Sequence, residues 1–173
     1  VYDVRMSAIV ILGHSGSGKT SVGQWVANYL DMPCIDTDVK VLEHLGQTSI
    51  QSAWDKKGEA SWHEAEAEII PGLLQEDNVV IVGGQTTMPA SVKDAIANVP
   101  MSIHCVADED TALTRIATCE DRLVRDLDDA QVRSERVQEY SQLATHELDT
   151  NGNLESAIPR IKALIALNHK TNQ

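Results

Sequence analysis

The run Gly13-His14-Ser15-Gly16-Ser17-Gly18-Lys19-Thr20 matches G-x-x-x-x-G-K-[ST], and few short patterns constrain a chain as strongly. The pattern functions only where a buried strand enters a glycine-rich turn and the turn opens a helix. Both flanks are legible here. Ala8–Leu12 is an apolar run, and Val22, Trp25, Val26, Tyr29 and Leu30 recur at helical spacing after Gly18. The glycines let successive backbone N–H groups turn inward around phosphate oxygens, and the helix N-terminus adds its partial positive charge. Lys19 is expected to reach the outer phosphates and Thr20 to ligate Mg²⁺. A chance glycine-rich turn would not bring both flanks with it. The pattern points to a nucleoside triphosphate and leaves the other substrate open.

The rest of the chain agrees with the flanks. Short apolar runs alternate with helix-period segments, which predicts one α/β domain over residues 1–173 with a parallel sheet wrapped by helices. The predicted strands are Ala8–Leu12, Cys34–Asp36, Val79–Val82, Ser102–Val106 and a weaker His146–Asp149. Helices are expected after Gly18, over Glu59–Gln75 with Pro71 kinking or interrupting it, and over Leu154–Leu167. Trp25 and Tyr29 read as core residues. The charge-dense run Cys119–Arg133 suits a mobile loop over a site, or equally a solvated linker.

Composition narrows the partners. With 26 Asp+Glu against 14 Lys+Arg the net charge is −12, which opposes attraction to nucleic acid or to an anionic membrane surface. Any phosphate must therefore be met by a few local cations. No phenylalanine and only three Trp and three Tyr leave the core to Val, Ile, Leu and Ala. Three scattered cysteines, Cys34, Cys105 and Cys119, form neither a disulfide framework nor a zinc site and fit a cytoplasmic setting. The longest apolar run falls far short of the ~20 residues of a membrane helix. Val1–Arg5 is set aside as a leader or remnant.

Two further groups lie where strands of an open α/β sheet end, the edge at which such proteins place ligands. Asp36-Thr37-Asp38 closes the second strand. Carboxylates at i, i+2 share a side, so one can serve a metal shell while the other faces an acceptor hydroxyl; a cap plus a solvated turn acid is the plainer reading. Gly83-Gly84-Gln85 closes the third strand, and its missing side chains allow a ligand to approach the backbone, as they would in an ordinary tight turn. His44, His104, His146 and His169 have no ligand spacing, and His14 is expected at the surface. Asp126, Asp128 and Asp129 read as a solvated face.

Taken together these residues resemble the shikimate kinase family over Ala8 to about Ile165. The resemblance is carried by the phosphate loop, Asp36-Thr37-Asp38, Gly58-Glu59 followed by Trp62 and Glu66, Gly83-Gly84, and Arg136-x-x-x-Tyr140 followed by Ala144 and Leu148-Asp149-Thr150. It implies a five-stranded parallel sheet of order 2-3-1-4-5, an acceptor-binding helical region near 39–75, and a lid near 119–133. It also implies ATP and Mg²⁺, a hydroxy acid or polyol as acceptor, and a monomer. By position, Gly13, Ser15, Gly16, Ser17, Gly18, Lys19, Thr20, Ser21, Arg115 and Asn153 belong to the nucleotide, with Arg115 against adenine. Thr20 and Asp36 belong to the metal, the latter through a bound water. Lys19, Asp38 and Arg122 are the implied catalytic residues, with Arg125 an alternative lid arginine because the usual R-P-L-L is here Arg122-Leu123-Val124-Arg125. Asp38, His63, Gly83, Gly84, Gln85 and Arg136 belong to the acceptor.

Two positions depart from the family. His63 stands where a second carboxylate-binding arginine is expected, and Gln85 where a third glycine is. A guanidinium offers permanent charge and a bidentate fork, whereas imidazole offers one or two donors. Both departures fall on the acceptor side. The expected activity is phosphoryl transfer from ATP to shikimate. A kinase of another small alcohol or sugar acid, or a non-catalytic nucleotide-binding sensor, is the alternative.

Overall fold

The computed structural model describes residues 7–83, 88–118 and 130–171, without the side chains of 130–133 and 169–171. Five parallel strands, β1 (Ile9–Leu12), β2 (Cys34–Asp36), β3 (Val79–Ile81), β4 (Met101–Val106) and β5 (His146–Asp149), form one sheet of order β2-β3-β1-β4-β5. Every strand lies within one residue of its expected position. β1 is central, with Ile11 opposite Ile81 on one side and Ile103 on the other. The chain order switches direction there, so the loop after Leu12 opens at the crevice of the sheet's carboxyl edge.

Period-two alternation divides the sheet into two cores. Ile9, Ile11, Val79, Ile81 and Ile103 pack with Val22 and Val26 of α1 (Lys19–Leu30) and with Ile161 and Leu164 of α7 (Leu154–Thr171). Val10, Leu12, Val80 and Val82 face the other way, onto Ile70, Val92, Ile96 and Tyr140. Those residues come from α3 (Ile50–Leu73), α4 (Ala90–Ala97) and α6 (Ala130–Leu143). A small third core joins α2 (Thr37–Leu45) to α3 through Val41, Ala53, Trp62 and Ala65. Among the described residues no helix is long and apolar enough to cross a membrane.

Several expectations are corrected. Tyr29 is 51% exposed, stacked on Trp25 at 4.9 Å with Lys162 Nζ 5.4 Å from its ring, because it lies on the outer side of α1. α3 runs through Pro71 near its end and breaks instead at Gly58, whose φ of 81° and ψ of 167° only glycine adopts readily. The expected loop over 119–133 falls mostly outside the described residues, and its last residues belong to α6.

His104 is fully buried in β4, where Ser141 and Glu147 face Nδ1 and the Tyr140 ring lies 5.6 Å away. Burial holds its pKa below the ordinary value, with Glu147 opposing. In the unfolded chain the group regains about 6.5, so the unfolded state takes up the proton first as pH falls. Stability from a neutral His104 is therefore full above ~6.5 and is lost as pH falls through the folded-state pKa. Urea unfolding should give a lower free energy at pH 5 than at pH 7, and that drop should be smaller in His104→Gln. An equal drop in both proteins would refute the assignment.

Candidate active site

The loop between β1 and α1 takes its shape from three glycines with positive φ. Gly16 (φ 80°) passes so close to α5 (Glu109–Ala117) that a Cβ there would meet Ala112 O at 2.5 Å. Gly18, at φ 83°, is the N-cap of α1 and turns the chain into the helix. Lys19 is buried beneath the loop and Nζ donates to His14 O at 3.5 Å. Contrary to the surface expectation, His14 is only 6% exposed, because its ring sits between Ser15 O (2.8 Å) and Ala107 O (3.3 Å). The Ser17 hydroxyl is fully buried, with no hydrogen-bond partner among the described residues.

A cleft of about 390 Å³ opens from this loop. Gly16, Gly18, Lys19, Thr20, Ser21, Arg115 and Asn153, all expected at a nucleotide, line it together with Thr118, Thr150 and Gly152. Gly13, Ser15 and Ser17 belong to the same loop without lining the cleft. Asp108 caps α5, its carboxylate accepting from Thr111 N at 2.8 Å and held below the usual pKa chiefly by that bond. The helix so oriented carries Arg115, whose guanidinium donates to Gly16 O at 3.2 Å, to Gly152 O at 2.9 Å and to Thr150 O. Asn153 accepts from Ser156 N at 2.9 Å at the start of α7. Cys105 lies behind the loop, and burial pushes its thiol up to about 12 despite nearby Lys19 and Arg115.

The second group gathers at the ends of β2 and β3. Asp36 caps α2, one carboxylate oxygen accepting from Asp38 N at 2.9 Å. Thr37 is buried and its hydroxyl accepts from Gly83 N at 3.0 Å, locking the two strand ends together. Asp38 lies so tightly on Gly83 that a Cβ on that glycine would fall 2.1 Å from its Oδ1. Gly83 is thus a space requirement of the carboxylate. On α3, His63 presents Nδ1 to Glu66 at 2.9 Å and Nε2 to Glu59 at 3.4 Å. Burial raises the Glu66 pKa, against hydrogen bonds from His63 and Trp62. Arg136 is buried on α6, which packs against β4 and α4. Gly84, Gln85, Arg122 and Arg125 lie outside the described residues.

Sequence reasoning missed two threonines. Thr37 stood between two acids that drew attention away from it. Thr150, buried at the end of β5, entered only as part of the resemblance. Both stand in motifs that carry the resemblance, but neither motif shows the contact, since the partners are distant in the chain.

With this geometry in place, comparison with known proteins is specific. The family model described as shikimate kinase matches residues 15–165. The shikimate kinase of Enterococcus faecalis is 32% identical over 111 residues, covering 64% of this chain and 66% of that protein. The matched stretch spans only 52% and 60% of the length of two other curated shikimate kinases. Among solved structures, shikimate kinase from Acinetobacter baumannii in complex with shikimate superposes with a TM-score of 0.79 at 19% identity, covering 96% of this chain and 94% of that one. The shikimate kinase of Aquifex aeolicus gives 0.76 at 25% identity, covering 95% and 97%.

Proposed function

The chain belongs to the shikimate kinase family, and from that premise we propose that it transfers the γ-phosphate of ATP to a hydroxyl of a small hydroxy acid, shikimate. The observation that carries the reading is the loop itself: a strand, positive-φ glycines and a buried lysine at a helix N-terminus, opening into a cleft whose other wall holds Arg115 and Asn153. Such a cradle meets phosphate with backbone N–H groups and one cation. On this reading the nucleoside lies along Arg115 and Asn153, and the acceptor lies between the β2 and β3 ends and the helical region 39–75. Residues 119–133 serve as the lid, with Arg122 or Arg125 reaching the transferred group. The reading extends to a monomer in the cytoplasm.

Phosphoryl transfer asks for positioning and charge compensation more than for covalent chemistry. Lys19 would move from the His14 carbonyl to the phosphate oxygens as the stronger acceptor. Thr20 and Asp36 would hold Mg²⁺: they offer hard oxygen donors, and Mg²⁺ takes one or two protein ligands beside phosphate and water. When bound, Mg²⁺ supplies charge neutralisation at the phosphate oxygens. Asp36 spends one hydrogen bond on Asp38 N, which leaves carboxylate capacity for that role. Asp38, held on Gly83, would orient the acceptor hydroxyl and take its proton, while Gly83 and, by position, Gly84, Gln85 and Arg136 complete the acceptor site.

Lys19→Ala should leave the circular dichroism spectrum unchanged and lower turnover about 10²- to 10³-fold; more than a tenth of wild-type activity would remove Lys19 from the chemistry. Asp38→Asn should abolish acceptor use while calorimetry shows ATP affinity within a few-fold of wild type. A collapse of ATP binding would transfer Asp38 to the metal. The acceptor itself is tested by ADP release with shikimate, quinate and gluconate. Both nitrogens of His63 face glutamates, so its site offers a weaker carboxylate receptor than an arginine. His63→Arg should raise kcat/KM for shikimate about 10- to 150-fold. No gain with shikimate and a loss with a better acceptor would overturn the shikimate assignment alone.

A further inference from the structure

Two carbonyl oxygens of the phosphate loop are held by residues from outside it. Gly16 O accepts from Arg115 and Ser17 O accepts from the Thr150 hydroxyl at 2.6 Å. The second contact spans 133 positions of the chain and is buried. The Thr150 hydroxyl also lies 3.0 Å from Val106 O, but that oxygen already accepts Thr150 N at 2.9 Å. A hydroxyl has one proton, and the shorter contact goes to Ser17 O. Ser17 O also stands outside the ladder of α1, whose N-cap Gly18 accepts from Val22 N at 3.1 Å.

The described backbone contains no cis peptide. In a trans peptide the C=O and the following N–H point in opposite directions. Holding Ser17 O toward Thr150 therefore turns the Gly18 N–H away from Thr150 and from the wall of the cleft to which Thr150 belongs. We propose that Thr150 is a positioning residue of the phosphate cradle: its hydroxyl orients the Ser17–Gly18 peptide so that the Gly18 N–H is presented to a bound phosphate chain. Thr150 is 6% exposed, so little water can replace the bond if the hydroxyl is lost. The same residue begins the turn containing Gly152 and Asn153 and gives its own carbonyl to Arg115. That carbonyl contact belongs to the backbone and survives a change of side chain, so loss of the hydroxyl falls on the phosphate loop alone. This inference rests on the loop binding phosphate, the reading given above.

The test uses the full chain as wild type, Thr150→Val and Thr150→Ser, with inorganic tripolyphosphate and adenosine as separate probes. Thr150→Val keeps the shape and loses the donor. It should weaken tripolyphosphate binding about 10- to 100-fold and raise the KM for ATP, while adenosine binding and the acceptor KM stay within about threefold. Thr150→Ser restores the donor and should bring tripolyphosphate binding back to within about threefold of wild type. If Thr150→Val does not fold, Thr150→Ala against Thr150→Ser gives the same contrast. Equal loss for both probes, or a serine variant as impaired as valine, would overturn the proposal. A wild type that binds tripolyphosphate with the valine–serine contrast but turns over no acceptor would sink the kinase reading and keep Thr150 in its role. A wild type that does not bind tripolyphosphate would overturn both.

Discussion

The site depends on how the backbone of one loop is satisfied. A phosphate cradle must keep several N–H groups unspent for its ligand, while its carbonyls, buried at the crevice of the sheet, still need donors. The chain meets the second demand by supplying donors from distant segments: Arg115 for Gly16 and Thr150 for Ser17. Lys19 adds its ammonium to His14 O within the loop. Once these carbonyls are held, the orientation of the following N–H groups follows from peptide planarity rather than from the ligand. On the proposed reading this holding would preorganise the loop for phosphate, the condition under which electrostatic stabilisation of a developing charge is most effective.

The acceptor side is organised by the same economy of backbone groups. Asp36 caps α2, Thr37 accepts from Gly83, and Asp38 rests on a glycine with no room for a side chain. Three consecutive residues thus do three different jobs, and the middle one ties the strand ends that the outer two depend on. The departure at His63 has a local cause that the structure makes visible. The imidazole lies between an exposed Glu59 and a buried Glu66, so its polar atoms are engaged along its own helix. Arg136 on α6 is a buried cation.

Much of the fold was legible in the sequence because its signals are local. The positions of β1, β3 and β4 followed from apolar runs that are buried on both sheet faces, while the edge strands β2 and β5 are only partly buried; the phosphate loop followed from a pattern whose every residue has a steric or electrostatic reason. The alternation of strand and helix implied a parallel sheet before any strand was paired. The misreadings have local causes too. Periodicity placed Tyr29 on the apolar side of α1, but it falls at the margin and stacks outward on Trp25. A proline near a helix end was read as the break, when Gly58 with its positive φ marked it instead.

What the sequence by itself determined was the five strands, the helices after the phosphate loop, around Glu59–Gln75 and at Leu154–Leu167, the phosphate loop and the acids at the strand ends, since each rests on residues within a few positions of one another. What only the tertiary structure decided was which distant groups meet: Thr150 on Ser17 O, Arg115 on Gly16 O, Thr37 on Gly83 N and the burial of His14 against Ala107 O. Those contacts depend on strand order and register, which bring the ends of β1, β4 and β5, and those of β2 and β3, side by side at one edge. Hydrogen-bonding capacity is a property of each residue. Which partner a group finds is set by chain packing, and no local pattern encodes it.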